Sequence, residues 1–216
     1  MKGLLIKDWK LMKNQKQFFL LIFIISLVLL NSNSYFVVMY MTMLCAFFTI
    51  STISYDEYDN GGAYLFTLPI TRKLYVREKY ALGGLLAVIP WAVTSLLVFL
   101  YSSFTHRVES TAEWWTVVSV YLVLVLLMEA VMLPIYLKYG NEKGRIVMIV
   151  TMAVLSAGAV GTIKLLNKAN IPMEEIIETV THTHIAEVAL LAVLFLVAVF
   201  MVSYRISVGI VEKKEY

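Results

Sequence analysis

Residues Phe18 to Ile53 read FFLLIFIISLVLLNSNSYFVVMYMTMLCAFFTISTI, an apolar block interrupted once, at Asn31-Ser32-Asn33-Ser34. As a single helix it would exceed ~50 Å at about 1.5 Å per residue, while a bilayer core is about 30 Å thick. Asn and Ser side chains hydrogen-bond to nearby backbone and favour turns over helix interiors. The block therefore predicts a hairpin of two membrane-crossing helices.

Four more stretches of similar length and apolarity follow, at approximately Tyr80–Tyr101, Trp114–Tyr136, Ile146–Leu166 and Ile185–Val208. The first apolar run, Phe18–Leu30, is short for a span, so the reading extends it inward to about Gln15, with local thinning of the membrane supplying the rest. A cleaved signal peptide is disfavoured, because no small-residue cleavage site follows and Asn31–Ser34 leads directly into another span. Composition agrees: of 216 residues 60% are apolar and 15% charged, against roughly 45 to 50% apolar in soluble domains. Cys45 is the only cysteine and cannot form an intramolecular disulfide. The expected fold class is an all-α integral membrane protein with six transmembrane helices in one domain, residues 1–216.

Orientation follows from Lys and Arg, which favour the cytoplasmic side. With the N-terminus inside, Lys2, Lys7, Lys10, Lys13 and Lys16 are cytoplasmic, as are Arg72, Lys73, Arg77 and Lys79, then Lys138, Lys143 and Arg145, and finally Arg205, Lys213 and Lys214. Only Arg107, Lys164 and Lys168 fall outside, so fifteen of the 18 basic residues lie on one side. That bias predicts both termini in the cytoplasm. Trp114 and Trp115 then sit at the outer start of the fourth span, where an aromatic belt is expected.

Three segments lie outside the spans. Residues 1–16 form an amphipathic helix with Leu4, Leu5, Leu11 and Met12 on one side, Trp9 at its edge and the five Lys mostly opposite, which predicts an interfacial anchor on anionic lipid. Residues 55–79 read YDEYDNGGAYLFTLPITRKLYVREK. The segment opens on acids, breaks at Gly61-Gly62, runs through an apolar patch to Pro69, and restarts as helix with Thr71 as N-cap. Asp56, Glu57 and Asp59 suit an anionic inner leaflet poorly, so a protein partner accounts for them better. Residues 167–184 carry a short amphipathic pattern expected on the outer interface. There His182, His184 and Glu178 are suitable ligand types, but no zinc-type spacing completes a metal site.

Within the spans Glu129 is the one deep acid. It faces either a polar cavity on the substrate path or a packed neighbour such as Ser or Thr. Pro90-Trp91 predicts a kink with a packed indole, and Ala153, Ala157 and Gly161 allow close approach of another helix. There is no G-x-x-x-x-G-K-[ST] phosphate loop, H-E-x-x-H helix or G-x-S-x-G elbow, so no catalytic residue is assigned.

Asp56-Glu57-x-x-Asn60-Gly61-Gly62, then Leu65-Phe66-Thr67-Leu68-Pro69-Ile70-Thr71-Arg72-Lys73 and Tyr75-Val76-x-x-Lys79-Tyr80, together with the opening Met1-Lys2-Gly3-Leu4-Leu5-Ile6-Lys7-Asp8, resemble the ABC-2 type permease subunits of bacterial ABC exporters. Among short members the chain is similar to phenol-soluble modulin and lantibiotic-immunity exporter permeases. The resemblance implies two permeases paired with two separate ATPase subunits that hold ATP and magnesium, an exported amphipathic or hydrophobic peptide, and no nucleic-acid partner. It places the ATPase-coupling contact on Glu57, Tyr58, Gly62, Leu68, Pro69 and Arg72. Two competing readings are a stand-alone structural or sensory membrane protein and an ion-coupled carrier using Glu129.

Overall fold

The structure, a computed structural model, describes residues 2–31, 33–58, 61–105, 110–168 and 185–214. Among these residues every regular element is helical: α1 (Lys2–Asn14), α2 (Lys16–Leu29), α3 (Ser34–Glu57), α4 (Gly61–Thr67), α5 (Arg72–Phe104), α6 (Thr111–Lys168) and α7 (Ile185–Lys213). The predicted outer segment, with His182, His184 and Glu178, lies outside the described residues apart from its first two positions.

The turn between α2 and α3 falls where the Asn-Ser cluster predicts it. Asn33 adopts an extended backbone and its side chain accepts the Phe36 N–H at 3.1 Å, satisfying one of the free donors of the first turn. Thr71 caps α5 in the same way, accepting the Leu74 N–H at 3.2 Å. Between α1 and α2 the helix breaks at Gln15 and bends by 63°. α3 runs on to Glu57, beyond the expected end at Ile53. Its polar residues fold back onto the helix: Thr52 donates to the Thr49 carbonyl at 2.8 Å and Ser54 to the Ile50 carbonyl at 3.1 Å. Gly61 and Gly62 open α4 rather than interrupt it. A Cβ on Gly61 would lie 2.9 Å from the Asp56 carbonyl, so only glycine lets the two backbones approach.

α6 contains two of the expected spans. Gly140, at φ 70° and ψ −171°, leaves the helical region between them. The Tyr136 hydroxyl reaches the Met148 sulfur at 3.7 Å. In a straight helix those residues would be about 18 Å apart along the axis, so the chain reverses at Gly140. The Tyr136 ring also rests against Gly144, where a Cβ would lie 3.1 Å away. Residues 111–139 and 141–168 are thus the two arms of a helical hairpin.

α3 forms the centre, packed by α5 and α6, with α7 closing against α5 and α6, α2 lying on α3, and α1 on α5. Among the described residues four helices are long and apolar enough to cross a membrane, and five if the bent α1–α2 pair counts as one. Leu20, Leu21, Phe23 and Leu27 on α2, and Leu190, Leu191, Leu194 and Phe195 on α7, are exposed. So large an apolar surface suits lipid contact and would aggregate in water. On the second arm of α6, Ala153 and Ala157 are exposed and nothing comes within 4 Å of a Cβ placed on Gly161; no other described helix of this chain packs there.

The bundle has two distinct ends. At one, here called the charged end, α1, the end of α3, α4, the start of α5, the Gly140 break and the end of α7 converge around Leu4, Ile53, Leu65, Tyr75, Val76, Leu137 and Val211. At the other, the aromatic end, Val37, Val38, Val98 and Val118 surround Trp114. Trp114 is 1% exposed and packs between the tilted rings of Tyr35 and Phe99, with centroids at 4.7 and 6.1 Å. It is a core residue rather than the belt residue expected, because the α2–α3 turn and the end of α5 close over it. Trp91 is packed as predicted, its indole donating to the Val118 carbonyl at 2.8 Å, and α5 continues helical through Pro90.

Candidate functional site

α4 owes its place to alternation on a short helix. Leu65 and Gly62 face the bundle, and Phe66 lies edge-on to the Tyr75 ring at 5.7 Å. The Arg72 guanidinium sits over the same Phe66 ring, 5.8 Å from its centre, a cation–π contact across the α4–α5 turn. The opposite side, Ala63, Tyr64, Thr67, Leu68 and Pro69, is exposed. Tyr64 is 72% exposed, Leu68 42%, and Tyr58 just before α4 78%. These residues make an amphipathic patch standing off the bundle.

Beneath that patch lies a buried ionic cluster. Lys79 has no exposed surface, and its ammonium meets Asp8 at 2.6 Å, Asp56 at 2.8 Å and the Thr52 hydroxyl at 3.0 Å. Three protons thus find three acceptors, which is what a buried ammonium requires. Asp56 also accepts from the Tyr75 hydroxyl at 3.2 Å and pairs with Lys7, which lies 3.2 Å from Asp8. Glu78, likewise unexposed, is 3.7 Å from Lys79. Burial alone pushes the Asp8 carboxyl up, yet Lys79, with Lys7 behind it, holds it below the ordinary carboxylate range. The cluster ties α1, α3 and α5 at one point.

A second set of pairs fastens α7 to the same region. Lys214 bonds to Glu57 at 2.5 Å and to the Leu137 carbonyl at 3.2 Å, and Glu212 takes Lys73 at 3.5 Å while its carbonyl accepts from Arg72. Glu57 lies so close to the α6 break that a Cβ on Gly140 would fall 2.6 Å from its carboxylate. Glu57 therefore links the end of α3, the hairpin turn of α6 and the end of α7.

Of the six residues expected at the coupling contact, Tyr58, Leu68 and Pro69 are exposed, Gly62 is buried, and Glu57 and Arg72 are half-buried and engaged within the chain. Two of the acids that a protein partner was expected to account for have counter-charges within the chain. Asp56 is neutralised by Lys79 and Lys7, and Glu57 by Lys214, while Asp59 lies outside the described residues. Sequence reading missed Tyr64, whose exposure appears only once α4 is placed, and also Asp8 and Lys79. Asp8 carries a detectable signal, since it sits among Leu4, Leu5, Leu11 and Met12 on the apolar face of α1.

Glu129 occupies a different place, 2% exposed where α3, α5 and α6 cross. Thr49 donates to it at 3.5 Å, and Gly83 makes room for it, since a Cβ there would lie 2.8 Å and 3.0 Å from its two oxygens. Five grooves between the described helices are lined by other residues. Among the described residues no group of three or more His, Cys, Asp or Glu side chains could hold a metal.

The model of the ABC-2 family transporter proteins matches residues 3–212, nearly the whole chain. The chain belongs to that family. As an ABC-2 transporter chain it is a membrane transport component, not itself a catalyst. No curated protein and no solved structure matches it.

Proposed function

We propose that this ABC-2 chain is the transmembrane subunit of a bacterial ATP-driven exporter for an amphipathic or hydrophobic substrate of the peptide class. It has six spans in the cytoplasmic membrane with both termini inside, pairs with a second permease, and receives its drive from separate ATPase subunits that hold ATP and magnesium. The charge bias along the sequence, the reversal at Gly140 and the convergence of the chain ends at one end of the bundle support this topology. Substrate class and export direction rest on the sequence resemblance.

The observation that carries the coupling role is α4 itself: Leu65 and Phe66 dock it onto the bundle, while Tyr58, Tyr64, Leu68 and Pro69 face outward. A conformational change can be driven only through an element whose contacts differ between two states. α4 has a free amphipathic face for a partner, and behind it the Lys79 and Glu57 clusters lead to α1, α3, α5, α6 and α7. Such a patch, aromatic and apolar with a charged rim, has the composition of a protein interface.

The test uses Tyr64→Ala with Leu68→Asp, because both side chains point away from the bundle. Charge reversal at Glu57 is a poorer probe, since it also breaks the Lys214 pair. The double variant is expected to insert and elute as a monodisperse permease while losing co-purification with its ATPase and ATP-driven export in lipid vesicles. A variant that binds the ATPase and exports like the wild type overturns the assignment.

A further inference from the structure

We propose that the groove between α5 and α7 binds an anionic glycerophospholipid, with one acyl chain lying along α7 and the phosphate at Arg77. The groove measures about 510 Å³. Its lining is apolar, with Leu126, Leu196 and Phe200 among the residues that form it, and Arg77 and Tyr204 belong to the same lining. Both flanking helices are long and apolar enough to cross a membrane, so the groove opens toward lipid.

Length and charge identify the occupant. From Tyr204 to Leu196 is eight residues of helix, ~12 Å at 1.5 Å each, close to the ~15 Å depth of one leaflet. Arg77 is exposed and makes no ion pair with any described residue. Its planar guanidinium matches phosphate oxygens in pairs, which a neutral neighbour would not demand. The floor is also rigid. The Tyr80 hydroxyl bonds to Ser203 at 2.5 Å and Ser207 at 2.8 Å, fixing its ring edge-on to Phe200 and Tyr204 at 6.0 and 5.5 Å. A preformed groove loses little freedom when a chain enters it.

This inference rests on α5 and α7 being in the membrane and needs no ATPase, so it is tested on the permease alone. The full chain, purified in mild detergent, is offered phosphatidylglycerol and phosphatidylcholine at equal concentration, and retained lipid is read by native mass spectrometry. One phosphatidylglycerol is expected to be held in preference. Arg77→Gln should weaken it about fivefold, the worth of one cation at a lipid surface, without changing phosphatidylcholine. Met201→Trp, at the exposed rim of the groove, should weaken both lipids. Arg205→Gln, a cation on α7 lining a different groove, should change neither. Equal retention of the two lipids by the wild type, meaning annular contact only, overturns the proposal, as does undiminished phosphatidylglycerol binding by Arg77→Gln.

Discussion

At the charged end Lys79, wholly buried, is held by Asp8, Asp56 and Thr52, whereas at the aromatic end Trp114 fills the space between Tyr35 and Phe99. The aromatic end adds neutral hydrogen bonds, Tyr101 to Asn31 at 2.8 Å and Ser102 to Ser34 at 3.0 Å. The difference is one of directionality. Apolar packing in lipid tolerates small sliding, because lipid tails are as apolar as the side chains they replace. A buried ammonium with three fixed acceptors tolerates little, because each lost partner leaves an uncompensated charge. The end proposed to receive force from a partner is therefore the stiffly registered one, and a displacement of α4 reaches several helices together.

The largest effect is expected where that rigidity is broken. Lys79→Met leaves Asp8 and Asp56 buried with Lys7 as their one paired cation and should cost about 3–5 kcal/mol, the usual penalty for removing one member of a buried pair. Thermal denaturation in detergent measures it. Adding Asp8→Leu to Lys79→Met should recover part of the loss, since a charge left alone costs more than a pair removed together. No recovery would mean that the cluster is not the source of the rigidity.

Trp114→Ala is the matching cut at the aromatic end. Trp-to-Ala changes in soluble cores cost about 3–5 kcal/mol. In a bilayer the water-transfer part is largely absent and packing remains, so about 2 kcal/mol is expected. The same denaturation assay should show this loss with ATPase co-purification intact, in contrast to the α4 double variant. Loss of ATPase binding in Trp114→Ala would erase the distinction between the two ends.

Gly140→Ala probes the join between α6 and the charged end. The position has φ 70° and its Cβ would strike the Glu57 carboxylate at 2.6 Å. With ψ at −171° the backbone lies in a region essentially restricted to glycine, costing another residue about 1–3 kcal/mol, and displacement of Glu57 loosens Lys214 as well. A loss of about 1–3 kcal/mol is expected. Gly144→Ala should cost less, because the φ at that position is not left-handed and its Cβ meets the Tyr136 ring at 3.1 Å. Equal losses would deny Gly140 its special role.

The parts of this architecture that local chemistry dictates were legible in the sequence. Asn33 and Thr71 mark a turn and a cap because their side chains bond within three residues of themselves. The segment carrying α4 was recognisable as ordered for the same reason. What the sequence could not show was tertiary. Lys79 and Asp8 are separated by 71 positions, and nothing local distinguishes a lysine that is buried from one facing the cytoplasm. Trp114 and Trp115 are chemically identical neighbours, and only the closure of α3 and α5 over the first decides which is core. Asp56 and Glu57 are a related case, since their counter-charges lie far off in sequence, on α1, on α5 and at Lys214.

Glu129→Gln should have the smallest effect, and it decides which of the two readings of this acid applies. The side chain lies between the two ends, touching Thr49 and filling the hollow over Gly83. Gln has the same shape, and its carbonyl oxygen accepts from Thr49 as the carboxylate does. If Glu129 serves packing, the change should cost no more than about 1 kcal/mol, the centre of the range for single substitutions, and leave export unchanged. If instead its carboxylate meets substrate as the helices move, export rate or substrate range must change while stability stays put. Export measured in vesicles beside thermal denaturation separates the two, and the burial of Glu129 against Thr49 and Gly83 favours the first. A fall in export at unchanged stability would return Glu129 to the translocation path and place the functional chemistry between the two ends rather than at the charged one.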